Sequence, residues 1–434
     1  MAETRERFRS NLGFILSSVG FAVGVGNLWR FPYLVGEYGG GVFLAFYLLM
    51  VFVIGIPLFT LEIALGSASQ KNPVGAYKTL KPGSLWSING YFNVFAMQLL
   101  LGYTMPVAGW VTAYIFKTAT GVFKGMSPGE VGEYFGTFMA NSPEVIAWMT
   151  ITVIAVVFII SHGLNKGLEK ANRIFMPILF VMLLILIVRG LTLPGASKGL
   201  AYYLKPDFSK FTLEAVYAGI GQAFFSIGVG MAAGIVFGSY LKDEDKNLVK
   251  QGTIIGLSDT FMAFLAGLMI FPAVFAFNLE PAGGPGLTFV TMPNVFNQMP
   301  MGTAFGTIFY FLFLLAALSS WLGGAEAVSA FYMEEFGLSR KKAVLLVGVI
   351  MFGIGVGASY SMKFFGIADQ ILNTLLIIGG LLISLFVGWV WGMEKFAKEV
   401  NITSESTIKI WSILLKFVIP AIIILLGLNF YGVI

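Results

Sequence analysis

Two glycine-dense segments carry the residues in this sequence that are best suited to binding chemistry. The first runs from Gly20 to Asn27, and the second runs from Ser226 to Met231. Glycines allow a helix to unwind, and an unwound helix exposes backbone N–H groups and carbonyls that need new partners. Freed carbonyls with a neighbouring amide or hydroxyl suit a hard cation such as Na⁺, whereas exposed N–H groups suit a carboxylate. The pattern therefore predicts a site for a cation and a small ligand that carries a carboxylate.

A serine pair, Ser319 and Ser320, lies in the middle of a third apolar segment, within Ala316-Ala317-Leu318-Ser319-Ser320. Hydroxyls at such a position can ligate a cation, or they can hydrogen-bond to a neighbouring helix. The residues alone leave both interpretations open.

The elements that must position these residues are helices that cross a membrane. Of the 434 residues, 57% are hydrophobic and 11% are charged, whereas an ordinary soluble domain carries about 25% charged residues. Apolar windows of about 20 residues recur along the chain, and each is long enough to cross a hydrocarbon layer of about 30 Å as a helix. We predict an all-α membrane protein with eleven spans, α1 to α11, at about 11–36, 41–67, 88–118, 144–162, 167–191, 214–239, 252–277, 305–333, 341–358, 366–392 and 408–432.

The two glycine-dense segments fall in α1 and α6, five helices apart. An odd number of helices per repeat inverts the second repeat relative to the first, which is the arrangement of transporters with a midplane site between broken helices. We expect one transporter domain over 1–434, with repeats at about 11–191 and 214–392 and an additional helix at about 408–432. The alternative is that the glycines only allow close helix packing.

Charge and composition set the sidedness and exclude several functions. Most lysines and arginines fall in segments on the same side as the N-terminus, which predicts a cytoplasmic N-terminus, an extracellular C-terminus and a place in the cytoplasmic (inner) cell membrane. The net charge of +5 is explained by these loops and not by nucleic-acid binding. The chain has no cysteine, and the sequence contains no P-loop, metal-ligand cluster or nucleophile–base motif, so we do not expect an enzyme.

The segment Gly24-Val25-Gly26-Asn27-Leu28-Trp29-Arg30-Phe31-Pro32 closely resembles the helix-1 signature of the neurotransmitter:sodium symporter family. Other segments resemble the family in order along the whole chain, namely Gly39-Gly40-Gly41, Gly55-Ile56-Pro57-Leu58, Gly167-Leu168-Glu169-Lys170, Gly221-Gln222-Ala223-Phe224-Phe225-Ser226 and Leu338-Ser339-Arg340-Lys341. The resemblance implies the LeuT fold, a five-plus-five inverted repeat in its prokaryotic eleven-helix form. It also implies Na⁺-coupled symport of an amino acid, by a monomer or a weak dimer. The alternative is a membrane receptor on the same fold that binds an amino acid without moving it.

The resemblance implies two sodium sites. The first would use Ala22, Asn27, Ser226 and Ser258, and the second Gly20, Val23, Ala316, Ser319 and Ser320. Chloride coupling stays undecided, because the family's acidic position falls on Met262 while Tyr47, Gln222 and Ser226 match the rest of that site. Asp259 or Glu326 could supply the negative charge instead.

The family's acidic position for amine substrates falls on Gly24, so the substrate is expected to bring its own carboxylate. Either Tyr103 or Thr104 would face that carboxylate, because Pro106 can distort the turn between them and Trp110. An apolar wall and small residues favour a neutral amino acid with a large apolar or aromatic side chain. The substrate-site residues implied are Phe21, Ala22, Gly24, Val25, Gly26, Tyr103, Thr104, Phe225, Ser226, Gly228, Met231, Ser320 and Gly324.

Charged residues inside the spans or close to their ends complete the resemblance. Arg30 and Asp369 match the family's outer gate pair, and Arg5 and Glu334 match its inner gate pair. Glu62 resembles the family carboxylate that braces the unwound part of α6.

Overall fold

The computed structural model describes residues 5–24, 26–242, 247–280 and 284–433. Within them, nine helices are long and apolar enough to cross a membrane. They correspond to α2–α5 and α7–α11, at Gly41–Ser69, Ser87–Ala119, Ser142–Ser161, Leu164–Leu191, Leu248–Ala276, Gly302–Phe336, Arg340–Tyr360, Met362–Glu399 and Glu405–Phe430. The two remaining spans, α1 and α6, are the ones that are broken.

Helix α1 consists of Asn11–Ala22 and Gly26–Glu37, and its two halves are bent by 52°. Its first half begins with Ser10 as N-cap, whose side chain accepts a hydrogen bond from the Gly13 N–H. Helix α6 consists of Leu213–Ile227 and Ala233–Ser239. The two predicted interruptions are therefore present, at the positions where the glycine-dense segments lie.

Glycine is needed in the α6 break for a conformational reason. Gly228 and Gly230 have φ values of +76° and +80°, in the left-handed region that glycine adopts readily. A Cβ on Gly228 would also press against the ring of Phe21. The break thus brings the backbone of α6 close to the first half of α1.

Continuous helices also depart from regular geometry in places. The hydrogen bonding of α3 is interrupted at Thr104, where Pro106 cannot donate a backbone hydrogen bond to the preceding turn. Helices α10 and α11 each contain a π-helical segment, at Phe386–Gly392 and Leu414–Val418. Such segments insert a residue into a turn and redirect the side chains around it.

The broken helices lie inside a shell formed by the continuous ones. The first half of α1 packs against α7 and α8, its second half packs against α7, and the second half of α6 packs against α2. By contrast, large apolar side chains on α4, α5, α9 and α11 point outward, as Phe158, Val188, Val349 and Phe417 do. An exposed apolar periphery around a buried centre with polar groups is the arrangement expected in lipid.

Candidate functional site

A cavity of about 370 Å³ lies beside the two breaks. Most residues of the predicted substrate site line it, namely Phe21, Ala22, Gly24, Gly26, Tyr103, Thr104, Phe225, Ser226, Gly228, Met231 and Ser320. The remaining two are Val25, which lies outside the described residues, and Gly324, which does not line the cavity. One space therefore brings together residues from α1, α3, α6 and α8.

Gly324 was expected to leave room for the substrate, and the structure corrects this. A Cβ at Gly324 would lie 2.5 Å from the Met97 sulfur and 3.1 Å from Leu101 Cδ2. Both of these α3 side chains line the cavity. The space beside Gly324 is thus filled by a neighbouring helix, so Met97 and Leu101 form the wall there.

The two α3 candidates, Tyr103 and Thr104, both line the cavity but have different partners. The Tyr103 hydroxyl donates a hydrogen bond of 2.8 Å to Asp369 Oδ1 on α10. The Thr104 hydroxyl donates to the Leu100 carbonyl (2.6 Å) and accepts from the indole N–H of Trp321 (3.1 Å). Trp321 was not singled out in the sequence, although it directly follows the serine pair and lines the cavity.

At the α1 break, a buried carboxylate lies beside two of the predicted ligands of the first sodium. The Asn27 amide donates to Asp259 Oδ1 (2.8 Å) and to the Asp259 carbonyl (3.0 Å), and the Ser226 hydroxyl donates to Asp259 Oδ2 (2.7 Å). The amide oxygen of Asn27 accepts from the Gly24 N–H at 3.1 Å. Polar groups from α1, α6 and α7 therefore meet around one point, where the Asn27 amide and the Ser226 hydroxyl both donate to the Asp259 carboxylate.

Ser258 does not lie in that cluster, so its prediction as a ligand is corrected. It is only half-buried, whereas Asp259 is fully buried. Successive residues of an α-helix point about 100° apart, so only one of the two can face Asn27. The alternative source of charge, Glu326, is paired with Arg340 at 2.7 Å.

The residues predicted for the second sodium site also converge, between α1 and α8. The Ser320 hydroxyl lies 2.8 Å from the Phe21 carbonyl and 3.4 Å from the carbonyls of Gly20, Val23 and Ala316. The Ser319 hydroxyl donates to the Ala316 carbonyl at 2.8 Å. Carbonyl and hydroxyl oxygens without a competing cationic side chain form an oxygen-rich site that suits a hard cation.

Two of the three residues that match the family's chloride site have buried polar atoms that make no hydrogen bond within the described part of the chain. They are Tyr47, through its hydroxyl, and Gln222, through both atoms of its amide. Met262 is buried and supplies no charge. These groups are available to a water molecule or an anion, and Asp259 is the carboxylate that shares Ser226 with them.

Glu62 lies where the α6 break needs an acceptor. Its carboxylate is fully buried and accepts backbone hydrogen bonds from Gly230 (2.6 Å) and Gly234 (3.2 Å). These N–H groups belong to the break and to the first turn of the second half of α6, where no helical carbonyl is available. Glu62 therefore satisfies the exposed backbone at this side of the break.

The residues of the predicted outer gate share the cavity wall without forming an ion pair. Arg30 and Asp369 both line the cavity, and both belong to the described residues, yet no salt bridge joins them. The Arg30 guanidinium lies over the Phe225 ring, 5.2 Å from its centroid. Asp369 instead accepts from Tyr103 and, through Oδ2, from the Asn373 amide at 3.1 Å.

The residues of the predicted inner gate do form an ion pair. Arg5 pairs with Glu334 at the end of α8 and also donates to Ser239 at the end of α6. Its guanidinium lies 4.9 Å from the centroid of the Tyr240 ring. Glu334 in turn accepts two hydrogen bonds of 3.0 Å from Asn72.

A second ion pair lies beside this gate. Lys78, on the loop helix Pro73–Leu80, donates to Glu335 at 2.6 Å. This hydrogen bond raises the pKa of Lys78 above its ordinary value. The segment before α1 and the loop after α2 are thus both tied to the end of α8.

Broken helices that place oxygen ligands and an amino-acid-sized cavity between them define a class of protein, the secondary transporters with the LeuT fold. The structure agrees with that class. It superposes on the crystal structure of MhsT in complex with L-phenylalanine with a TM-score of 0.90, at 37% sequence identity, covering 98% of this chain and 100% of that one.

The chain belongs to the sodium:neurotransmitter symporter family, whose model matches residues 5–125 and 137–431. It is 34% identical to the sodium-dependent transporter YhdH of Bacillus subtilis over 442 residues, with 98% of both chains covered. It is 29% identical to the sodium- and chloride-dependent creatine transporter 1 of Bos taurus, covering 91% of this chain and 72% of that one. These matches confirm the predicted family and fold. The family consists of sodium-coupled transporters and not of enzymes.

Proposed function

We propose that this protein is a symporter that uses a Na⁺ gradient to transport a neutral amino acid with a large apolar or aromatic side chain. The observation that carries the proposal is the cavity between the broken helices, which has backbone and side-chain oxygens at one side and an apolar wall at the other. Transport would proceed by alternating access, in which each end of the cavity opens in turn.

The substrate class follows from the groups that line the cavity. Phe21, Leu100, Val107, Phe225 and Met231 supply an apolar surface, and apolar cavities with a few polar groups favour apolar ligands. At the break, Gly24 provides no carboxylate to pair with an amine, so the ligand would supply its own. The similarity to MhsT with bound L-phenylalanine supports the same class.

We propose two Na⁺ sites with separate roles. The first, around Asn27, Ser226 and Asp259, borders the cavity and would be completed by the substrate carboxylate. The second, around Ser319 and Ser320, ties the first half of α1 to α8. Filling both would draw the broken helix against its neighbours before the substrate is released.

The hydrogen bond from Tyr103 to Asp369 would couple substrate binding to the outer gate. A phenol has one O–H, so Tyr103 can donate to Asp369 or to a substrate carboxylate, but not to both. When a substrate takes this donor, Asp369 Oδ1 is released and becomes available to Arg30. Substrate binding would thus favour closure of the outer end.

We propose a cytoplasmic N-terminus and an extracellular C-terminus in the cell membrane, on the basis of the uneven distribution of basic residues. The Arg5–Glu334 pair would then lie at the cytoplasmic end of the cavity, and Arg30 with Asp369 at the extracellular end.

The test is uptake into proteoliposomes of radiolabelled phenylalanine, tryptophan, leucine and glycine, with Na⁺ or K⁺ outside. We expect accumulation above the external concentration for at least one large apolar substrate, only with an inward Na⁺ gradient. Counterflow with unlabelled substrate inside separates transport from binding alone. Saturable Na⁺-dependent binding without counterflow would support the receptor alternative and overturn the proposal.

A further inference from the structure

A lysine inside the last span has no role in the transport site. Lys416 is the only charged residue after Lys409. It lies in α11, about 16 Å along the helix axis from Glu405, well within the apolar part of the span. Its ammonium lies 4.9 Å from the centroid of the Trp389 ring on α10. Among the described residues, no carboxylate pairs with it.

The surface around Lys416 faces the membrane and not the transport cavity. Trp389 is 57% exposed and Phe417 is 58% exposed, and their rings meet edge to face at 5.6 Å. In a membrane-spanning chain, exposed apolar side chains of this kind contact lipid. The group that reaches Lys416 from outside must therefore come from the bilayer.

The backbone of α10 and α11 is shaped around this lysine. Lys416 and Trp389 lie in the two π-helical segments, Leu414–Val418 and Phe386–Gly392, which contact each other. A Cβ at Gly388 would lie 3.1 Å from Lys416 Cγ, so the lysine stem packs along the glycine backbone. The Ser384 hydroxyl donates to the Leu415 carbonyl at 2.7 Å. The Leu415 carbonyl is thus satisfied, while the Lys416 ammonium donates no hydrogen bond to any residue that the structure describes.

An unpaired ammonium in hydrocarbon is unfavourable, and a lysine reduces that cost by extending its stem toward the membrane surface. The abundant anion at that surface is the phosphate of phospholipids. A zwitterionic lipid presents an ammonium of its own near the phosphate, whereas an anionic lipid offers a net attraction.

We propose that the cleft between α10 and α11 binds an anionic phospholipid, whose phosphate pairs with Lys416 while Trp389 contacts its glycerol and upper acyl region. The occupant is a lipid and not a soluble phosphate, because the exposed side chains around the lysine are apolar. The lipid would hold α11 against α10, on the opposite side of α10 from the outer gate residues.

The first test measures thermal unfolding of the purified full chain in detergent with added phosphatidylglycerol, phosphatidylcholine or inorganic phosphate. We expect phosphatidylglycerol to raise the melting temperature of the wild type by several degrees more than phosphatidylcholine, because a ligand of the native state stabilises it. The extra shift should disappear in Lys416→Gln and persist in Lys416→Arg. The matched control is Lys409→Gln, which removes the same charge from an exposed position on the same helix and should keep the shift.

Three outcomes would overturn the proposal. A full shift in Lys416→Gln means that the lipid does not use this lysine, and an equal loss in Lys409→Gln means a diffuse charge effect. The same stabilisation by inorganic phosphate alone means that no lipid is needed.

A second measurement applies if Lys416→Gln does not fold. The fluorescence difference between wild type and Trp389→Phe isolates the signal of Trp389, and brominated phosphatidylglycerol should quench it more strongly than brominated phosphatidylcholine. Equal quenching by the two lipids would also reject the site. Neither measurement depends on transport, so failure here leaves the proposed function untouched.

Discussion

At the scale of single residues, the decisive feature is the charge of Asp259. Its carboxylate accepts hydrogen bonds from both Asn27 and Ser226, so it would pair directly with a Na⁺ held between them. We expect Asp259→Asn to lower the affinity for Na⁺ at least tenfold, equivalent to about 1.4 kcal/mol, as measured by Na⁺ titration of substrate binding. Ser258→Ala is the matched control on the adjacent residue and should leave the affinity unchanged. If Ser258→Ala lowered the Na⁺ affinity and Asp259→Asn left it unchanged, Ser258 and not Asp259 would be the ligand.

Gly24 is constrained by its neighbour as well as by the substrate. A Cβ at this position would overlap the Ser320 hydroxyl, so Gly24→Ala should weaken Na⁺ binding at the second site. Gly24→Asp adds a negative charge beside the substrate carboxylate, and such juxtaposition costs several kcal/mol. The ratio of affinities for an amino acid and for its decarboxylated amine should therefore fall much further in Gly24→Asp than in Gly24→Ala. An unchanged ratio in Gly24→Asp would place the carboxylate elsewhere.

Residue positions can be predicted from the sequence where a local motif fixes the backbone, and not where a distant helix decides. The strings around Asn27 and Ser319-Ser320 indicate contacts that the structure contains, between Asn27 and Ser226 and between Ser320 and the carbonyls of α1, while their roles as sodium ligands stay predictions. Ser258 was off by one position, and a helix rotates about 100° per residue. The space beside Gly324 depends on Met97, which is more than 200 residues away in sequence. The sequence of α8 alone therefore cannot predict whether that space is free.

At the scale of elements, the break in α6 is stabilised by a single side chain from α2. Glu62 accepts the Gly230 and Gly234 N–H groups, and each buried N–H left without a partner costs about 1–3 kcal/mol. We expect Glu62→Ala to destabilise the protein by roughly 2–6 kcal/mol and Glu62→Gln by less, because the amide keeps one acceptor oxygen. The melting temperature in detergent should fall in that order.

The control for the Glu62 variants is Glu335→Ala. It removes a carboxylate bonded to Asn72 and to the half-exposed Lys78, and the loss of a partly exposed ion pair should cost less than two buried N–H groups left without a partner. A melting temperature of Glu62→Ala equal to that of Glu335→Ala would show that the break does not need this acceptor.

The spans themselves were predictable because hydropathy and length determine them. The predicted α9 at about 341–358 corresponds to Arg340–Tyr360, and α4 at about 144–162 corresponds to Ser142–Ser161. The π-helical segments of α10 and α11 were not predicted. They arise from packing between the two helices, and a uniformly apolar sequence does not encode which turn takes the extra residue.

At the scale of the whole molecule, the two ends of the cavity differ. The inner end is held by Arg5 and Glu334, and Phe8 is buried against Phe14 and Phe237. At the outer end, Arg30 and Asp369 share a wall without an ion pair, while Asp369 is held by Tyr103 and Asn373. In the proposed transport cycle this arrangement corresponds to the state with the inner gate closed and the outer gate pair apart, in which a substrate would enter from the outer side.

This asymmetry predicts the effect of breaking the inner gate. Arg5→Ala removes the pairing with Glu334, the hydrogen bond to Ser239 and the contact with the Tyr240 ring, all of which exist only while the inner end is closed. A change that destabilises one state of an equilibrium shifts the population to the other, so states open at the inner end should become more populated.

Ser329 is fully buried on α8, about one and a half turns before Glu334, and the chain has no cysteine. Ser329→Cys thus provides a single reporter, whose rate of labelling by a membrane-impermeant thiol reagent should rise severalfold in the Arg5→Ala background. Arg7→Ala is the matched control, because among the described residues Arg7 donates only to the Leu241 carbonyl, at 3.4 Å, and its loss should leave the rate near that of the reporter alone. Equal labelling in all three proteins would mean that Arg5 does not hold the inner end closed.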